Sequence, residues 1–232
     1  MIEQHQVLDA LSGVRDPELD EPITDLEFVS GLEIKDGSVF VRLRLPTYFC
    51  APNFSYLMVA DAKEAVLSVP GVEKARVVLE DHYASDEINA GVNDERGFDR
   101  AFEGETEGPD LESLRTTFHR KAFVSRQEQL CRTLLADGNS PAELAEMTLN
   151  DVPPSPEFET YLERRAELGL DASAEAPLIV DPDGNRVPRD AVVQHLRFAR
   201  LTRVSIEGNA GLCRGLLATR YGENSGITRQ IG

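Results

Sequence analysis

The chain has 232 residues, of which 41% are hydrophobic and 28% charged, and its formal net charge is −17. That make-up suits a soluble globular protein and repels nucleic acid and anionic membranes, so proteins are the expected partners. No apolar run reaches membrane-spanning length, and the opening MIEQHQVLDAL lacks the basic flank and apolar core of a signal peptide.

Residues 3–13 place Val7, Leu8 and Leu11 on one face, which predicts a short amphipathic helix ending at Gly13. Pro17 disfavours helix at Asp16 and breaks the pattern. Alternating apolar residues then flank Asp36-Gly37: Leu32 and Ile34 before it, Val39, Val41, Leu43 and Leu45 after it. An Asp-Gly pair between alternating strands predicts a hairpin, because its turn needs positive φ. From Asn53 the apolar spacing becomes helical as far as Val69, Pro70-Gly71 ends that helix, and Ala75, Val77 and Leu79 predict a third strand. The fold class expected is therefore α+β, a helix–hairpin–helix–strand unit over residues 1–85 with helices covering one face of its sheet.

Residues 86–110 are acidic, Gly-rich and poor in apolar residues, and read as a linker. Residues 111–232 read as a mostly helical accessory region. Its expected helices cover 111–136, a capping box at Ser140-Pro141-Ala142-Glu143, and Ser155-Pro156 through about Leu168. A small hairpin around Asp183-Gly184 follows, then separate helices over 190–204 and 212–221. Charge separates the two halves: residues 1–110 carry 24 acidic and 9 basic side chains, residues 111–232 carry 17 and 15.

Cys50 is the leading candidate for chemistry. It lies between a predicted strand and a predicted helix, where free backbone N–H groups and the helix dipole favour a thiolate. A thiolate is both a nucleophile and a soft ligand for iron or an iron–sulfur cluster; a buried structural cysteine is the competing reading. The three cysteines, Cys50, Cys131 and Cys213, include no C-x-x-C pair and suit free thiols in a reducing cytoplasm. Whether they converge is open at this point. His5, His82, His119 and His195 show no metal-site spacing, and neither a phosphate loop nor a nucleophile elbow is present.

Five features in order carry a family resemblance: Val14-Arg15-Asp16-Pro17-Glu18, Ile23-Thr24-Asp25-Leu26-Glu27-Phe28-Val29, the Asp36-Gly37 hairpin, Cys50 with Pro52, and Pro70-Gly71-Val72. Through them residues 5–85 resemble the iron–sulfur cluster assembly factors that include SufT-like and PaaD-like proteins. The resemblance implies a small α+β domain that transiently holds iron or an iron–sulfur cluster and helps deliver it to a client metalloenzyme. PaaD-like members accompany a di-iron oxygenase, so a monooxygenase accessory role is within the family's range. It also implies a reactive or metal-binding cysteine at Cys50. Asp16, Glu18 and Asp25 could join Cys50 in a mixed oxygen–sulfur site for iron, although acidic residues at turns are also routine caps; Asp25 reads as such a cap, and for Asp16 the two readings are balanced, with the resemblance tipping it towards a ligand. Two positions depart from the family: Glu27 stands where Gly is usual, and Ala51 separates the cysteine from Pro52.

Residues 186–229 hold eight arginines against three acids. Arg197, Arg200 and Arg203 cluster on a predicted helix and could dock an acidic partner, pair with the acidic half of the chain, or simply be solvated. The expectation is a non-catalytic, cytoplasmic maturation factor, with a homodimer left open. Its rivals are an assembly chaperone or scaffold without metal chemistry, and a thiol-dependent enzyme with Cys50 as nucleophile.

Overall fold

The computed structural model describes residues 2–94, 96–102, 111–222 and 227. The architecture is α+β, and the chain divides into two units. The first joins residues 1–111 to residues 208–232; the second is Glu112–Glu207.

The first unit opens with α1 (Gln4–Ser12), whose Val7 and Leu11 are fully buried. Two short antiparallel strands follow, β1 (Arg15–Asp16) and β2 (Glu21–Pro22), where the sequence indicated only a break. Next come β3 (Val29–Lys35) and β4 (Ser38–Arg44), paired antiparallel so that Lys35 faces Ser38 across a two-residue turn. Asp36 and Gly37 both take positive φ, 47° and 76°, as the tightest hairpin turns demand. Val39, Val41 and Leu43 alternate inward along β4. α2 (Pro52–Leu67) crosses over and packs Met58, Val59, Ala62 and Val66 into the same core. β5 (Lys74–Glu80) then pairs with β4 in parallel, giving the order β3-β4-β5.

The expected linker is in part an edge guard. Its residues 86–93 belong to α3 (Ser85–Asn93), which buries Ile88 and Val92. Asn89 accepts from the Leu79 N–H at 2.8 Å and donates to the Leu79 carbonyl at 3.0 Å. Asn93 treats Val77 likewise, at 3.3 and 2.7 Å. Two side-chain amides thus stand in for a further strand along β5, satisfying groups that would otherwise invite another chain. Composition hid this helix, because the polar side chains of Asn89 and Asn93 make its hydrogen bonds to β5. A short α4 (Phe98–Ala101) follows, and residues 103–110 of the expected linker lie outside the described residues.

The second unit comprises α5 (Leu111–Ala136) from Glu112 on, α6 (Pro141–Leu144), a 3₁₀ turn at Leu149–Asp151, α7 (Pro156–Glu167) and the first part of α8 (Val192–Tyr221). The Ser140 capping box forms as read: Glu143 N–H donates to the Ser140 hydroxyl, and the Glu143 carboxylate accepts from the Ser140 N–H. The hairpin expected near Asp183-Gly184 is reduced to one antiparallel bridge, Val180 to Arg186. Phe123, Leu130, Cys131, Leu134, Leu144 and Tyr161 form a core of its own. Through it runs a polar spine in which Gln127 and Arg165 each donate to the Tyr161 hydroxyl at 3.1 Å, and that hydroxyl donates to the Leu178 carbonyl at 2.7 Å.

The expected helices at 190–204 and 212–221 are one continuous element, α8. Its residues from Gly208 on belong to the first unit, where Ala210 and Leu217 join the core. The region 111–232 is therefore not one module. Among the described residues no helix is long and apolar enough to cross a membrane.

Gly211 lies in the middle of α8, and a Cβ built there meets no atom within 4 Å. Gly211→Ala is therefore expected to stabilise the first unit by about 0.5–1 kcal/mol, read as a higher denaturant midpoint at unchanged slope.

Candidate functional site

The parallel pairing of β4 with β5 requires the chain to leave the sheet after Arg44, and residues 45–51 form the loop leading into α2. Pro52 occupies the first helical position, where a missing N–H costs nothing. Ala51 is the residue that caps the helix, which explains why one residue separates Cys50 from Pro52. The Cys50 thiol is half-buried, with the Thr47 hydroxyl 3.3 Å from its sulfur. Thr47 Oγ1 also accepts from the Phe49 N–H at 3.2 Å, which tightens the loop around the thiol.

Parallel strands end on the same side, so the residues after β5 arrive beside this loop. Tyr83 N–H donates to the Tyr48 carbonyl at 3.1 Å, and His82 Nε2 lies 2.7 Å from the Cys50 carbonyl. His82 Nδ1 accepts from the Ala84 N–H at 3.2 Å, so the ring proton is on Nε2 and is donated to Cys50. Burial, opposed by the Cys50 carbonyl and reinforced by Arg220, holds the His82 pKa below its ordinary value. A neutral imidazole thus clamps the backbone of Cys50, with both nitrogens committed. Around the loop stand Tyr48, Phe49 and Tyr83, all exposed, with ring centroids 5.0–6.4 Å apart. Phe49 is 76% exposed, an unusual display for so large an apolar side chain.

The C-terminal part of α8 comes to the same region. Asn209 donates to Glu18 at 3.5 Å, Arg214 pairs with Glu21, and Arg220 donates to the Leu45 and Asp81 carbonyls at 3.2 and 2.5 Å. Between these anchors lies Cys213, half-buried and packed against the core that Cys50 also touches. Burial first, then Asp16, Cys50 and Glu18, push the Cys213 thiol up to about 11. Cys50 and Cys213 therefore belong to the first unit, and Cys131 to the second. Cys131 is buried in the second unit, its pKa raised to about 12 by burial and by Glu128.

The expected oxygen ligands are used otherwise. Asp16 is buried, and its Oδ1 accepts from the N–H groups of Glu18 and Leu19, both at 2.9 Å, capping the turn between β1 and β2. Burial lifts its pKa to about 6 against those two hydrogen bonds. Glu18 is exposed and accepts from Asn209; Asp25 lies on an exposed turn, where Thr24 donates to it at 3.3 Å. Among the described residues no three or more His, Cys, Asp or Glu side chains are arranged to hold a metal ion, so Cys50, Asp16 and Glu18 do not form the mixed site expected. Nor is Arg203 a docking residue: it is buried and ion-paired with Glu128 and Glu207, the latter at 2.7 Å. Arg197 and Arg200 are exposed.

Residues 4–78, which span α1 through most of β5 and include Cys50, match the family described as iron-sulfur cluster assembly protein. An uncharacterized protein of Methanocaldococcus jannaschii is 34% identical over 90 residues, which are 38% of this chain and 93% of that relative. The chain belongs to the iron–sulfur cluster assembly family. The family match ends in β5, before His82, the second unit and Cys213. No solved structure matches the chain. The unusual Glu27 of this member has φ 62°, the left-handed region that glycine enters at least cost, which accounts for the glycine expected there. Sequence reading missed His82, Cys213 and the aromatic ring around the loop; the only signal available was that two parallel strands must end together.

Two outcomes test this geometry. Alkylation at neutral pH, followed by mass spectrometry of each cysteine, should modify Cys50 first, Cys213 slowly and Cys131 only on unfolding; faster labelling of Cys213 would contradict the burial described. Asp16, with its folded pKa raised from 3.8 to about 6, favours the folded state below the lower value and loses that contribution as pH rises through the upper one. Asp16→Asn should therefore be more stable than the parent near about pH 8, by roughly 2 kcal/mol, with the gain vanishing below about pH 4.

Proposed function

We propose that this chain is a maturation factor that holds iron or an iron–sulfur cluster transiently at Cys50 and passes it to a client metalloenzyme. One observation carries the reading: a half-exposed thiol on a backbone clamped by His82, ringed by exposed aromatic side chains. A fixed backbone presents the sulfur in one place. The aromatic side chains offer a partner the large, rigid contact area that dominates protein interfaces. The small number of nearby ligands also fits a carrier, since a closed four-ligand site would retain its metal rather than release it.

Catalysis by the thiol is less well supported. A nucleophilic cysteine needs a base, and both nitrogens of the nearby His82 are bound to backbone groups. The scaffold reading is favoured by the lack of any three-ligand metal group among the described residues.

Client recognition is assigned to the second unit. On its part of α8, Phe198, Leu201 and Val204 are exposed and follow helical spacing beside the exposed Arg197 and Arg200. An apolar strip rimmed by arginine matches the usual make-up of a protein interface, and an acidic client surface would complement it.

Iron and sulfide analysis of anaerobically purified protein, alongside activation of the client enzyme in cells, tests the proposal. Cys50→Ser is expected to lose both bound metal and client activation while changing stability by no more than about 1 kcal/mol. A mutant that activates its client fully would leave the scaffold reading standing instead.

A further inference from the structure

The β3-β4-β5 sheet has two faces of different character. Val39, Val41 and Leu43 point into the core, so their neighbours along β4 point to the opposite face. The strand registers place Lys35, Ser38 and Lys74 in one row across that face, and Glu33, Phe40 and Arg76 in the next. Residues 1–110 are strongly acidic, yet five of their nine basic side chains stand here: Lys35, Arg42, Arg44, Lys74 and Arg76. Two are compensated, since Arg42 pairs with Glu33 at 2.8 Å and Arg44 with Glu80 at 3.0 Å. Lys35, Lys74 and Arg76 are exposed and meet no acid at ion-pair distance among the described residues. The acids next to them in sequence lie at the turn, where Asp36 takes positive φ and Glu73 rests against Gly37. With Ser38 and the part-buried Phe40 between them, the three cations line an open groove of about 500 Å³.

Solubility does not call for cations on a chain of net charge −17. We propose that this face binds an extended acidic segment of a partner protein, with carboxylates at alternate positions. Spacing carries the choice of ligand. Lys74 and Arg76 leave β5 two residues apart, about 7 Å, and Lys35 stands two strands across, about 10 Å away. Alternate side chains of an extended peptide repeat at that same distance of about 7 Å. A single phosphate presents its charge at one point, and the three cations would have to converge on it against their mutual repulsion. A nucleic acid carries a long run of charge and meets the repulsion of the whole acidic chain. A short segment feels chiefly what lies within about 8 Å at physiological ionic strength. Phe40 gives such a segment an apolar floor between its ion pairs. The groove lies at the start of β4 and β5, whereas Cys50 and His82 follow their ends, about 20 Å further along. The site therefore stands apart from any cargo at Cys50.

Titration of the nitrogen-15-labelled full chain with the capped peptide Glu-Ser-Glu-Ser-Glu, followed by amide NMR, tests this. The amide signals of Lys35, Phe40, Lys74 and Arg76 are expected to move, and to move less as salt rises. The block isomer Glu-Glu-Glu-Ser-Ser should bind several-fold more weakly. Lys74→Gln combined with Arg76→Gln should raise the Kd of the alternating peptide about tenfold, and Lys35→Gln alone about threefold. Arg96→Gln, which removes an exposed cation elsewhere in the unit, should leave it unchanged. The dispersion of each variant's spectrum shows directly that it is folded. Equal binding of the two isomers, or an unchanged Kd in the double variant, would overturn the proposal. So would inorganic tripolyphosphate or a uridine dodecamer moving the same signals at lower concentration. Movement of those signals when the protein alone is concentrated would assign the face to a second copy of the chain and overturn it too.

Discussion

Parallel pairing of β4 with β5 is the constraint from which the rest of the first unit follows. Antiparallel neighbours can be joined by two residues, as β3 and β4 are, but parallel neighbours need a crossover, usually a helix. α2 is that crossover, and the loop that feeds it must start at the end of β4. Because β5 runs the same way, its own exit is brought to the same edge. One backbone rule thus delivers Cys50 from the first exit and His82 with Tyr83 from the second. The cysteine needs no special conformation to be displayed.

Charge is managed around this edge with economy. Burial raises the pKa of Asp16 to about 6 and that of Cys213 to about 11, and His82 is a base kept neutral by burial and by Arg220. Each would be stabilised as an ion by an opposite charge at close range, yet Arg220 spends its donors on two backbone carbonyls and Arg214 pairs with Glu21.

Local rules made much of this legible in the sequence. The Asp36-Gly37 turn, the alternation in β4, the change to helical spacing at Asn53 and the Ser140 box are each decided by a few adjacent residues, and each formed as read, α2 starting one residue earlier at Pro52. What stayed hidden depends on partners distant in sequence. Asn89 and Asn93 look like linker residues until β5 lies beside them. Arg203 looks like surface charge until Glu128 meets it. Gly208 and Gly211 look like a break between helices, although the chain passes through them in unbroken α-helix. Cys50 could be singled out from its junction, but nothing near Cys213 in sequence announces its neighbour.

The discontinuity of the first unit bears on how the protein is made. Its last core residues, Ala210 and Leu217, follow the whole of Glu112–Glu207 in the chain. A ribosome releases the N-terminus first, so the early strands and helices must wait, incompletely covered, while the intervening unit is synthesised and free to fold by itself. Closing so long a loop adds little entropy cost, since that cost grows only with the logarithm of length. The delay is therefore one of timing rather than of stability. Cys213 follows that unit as well, so a growing chain presents Cys50 before Cys213 has been made.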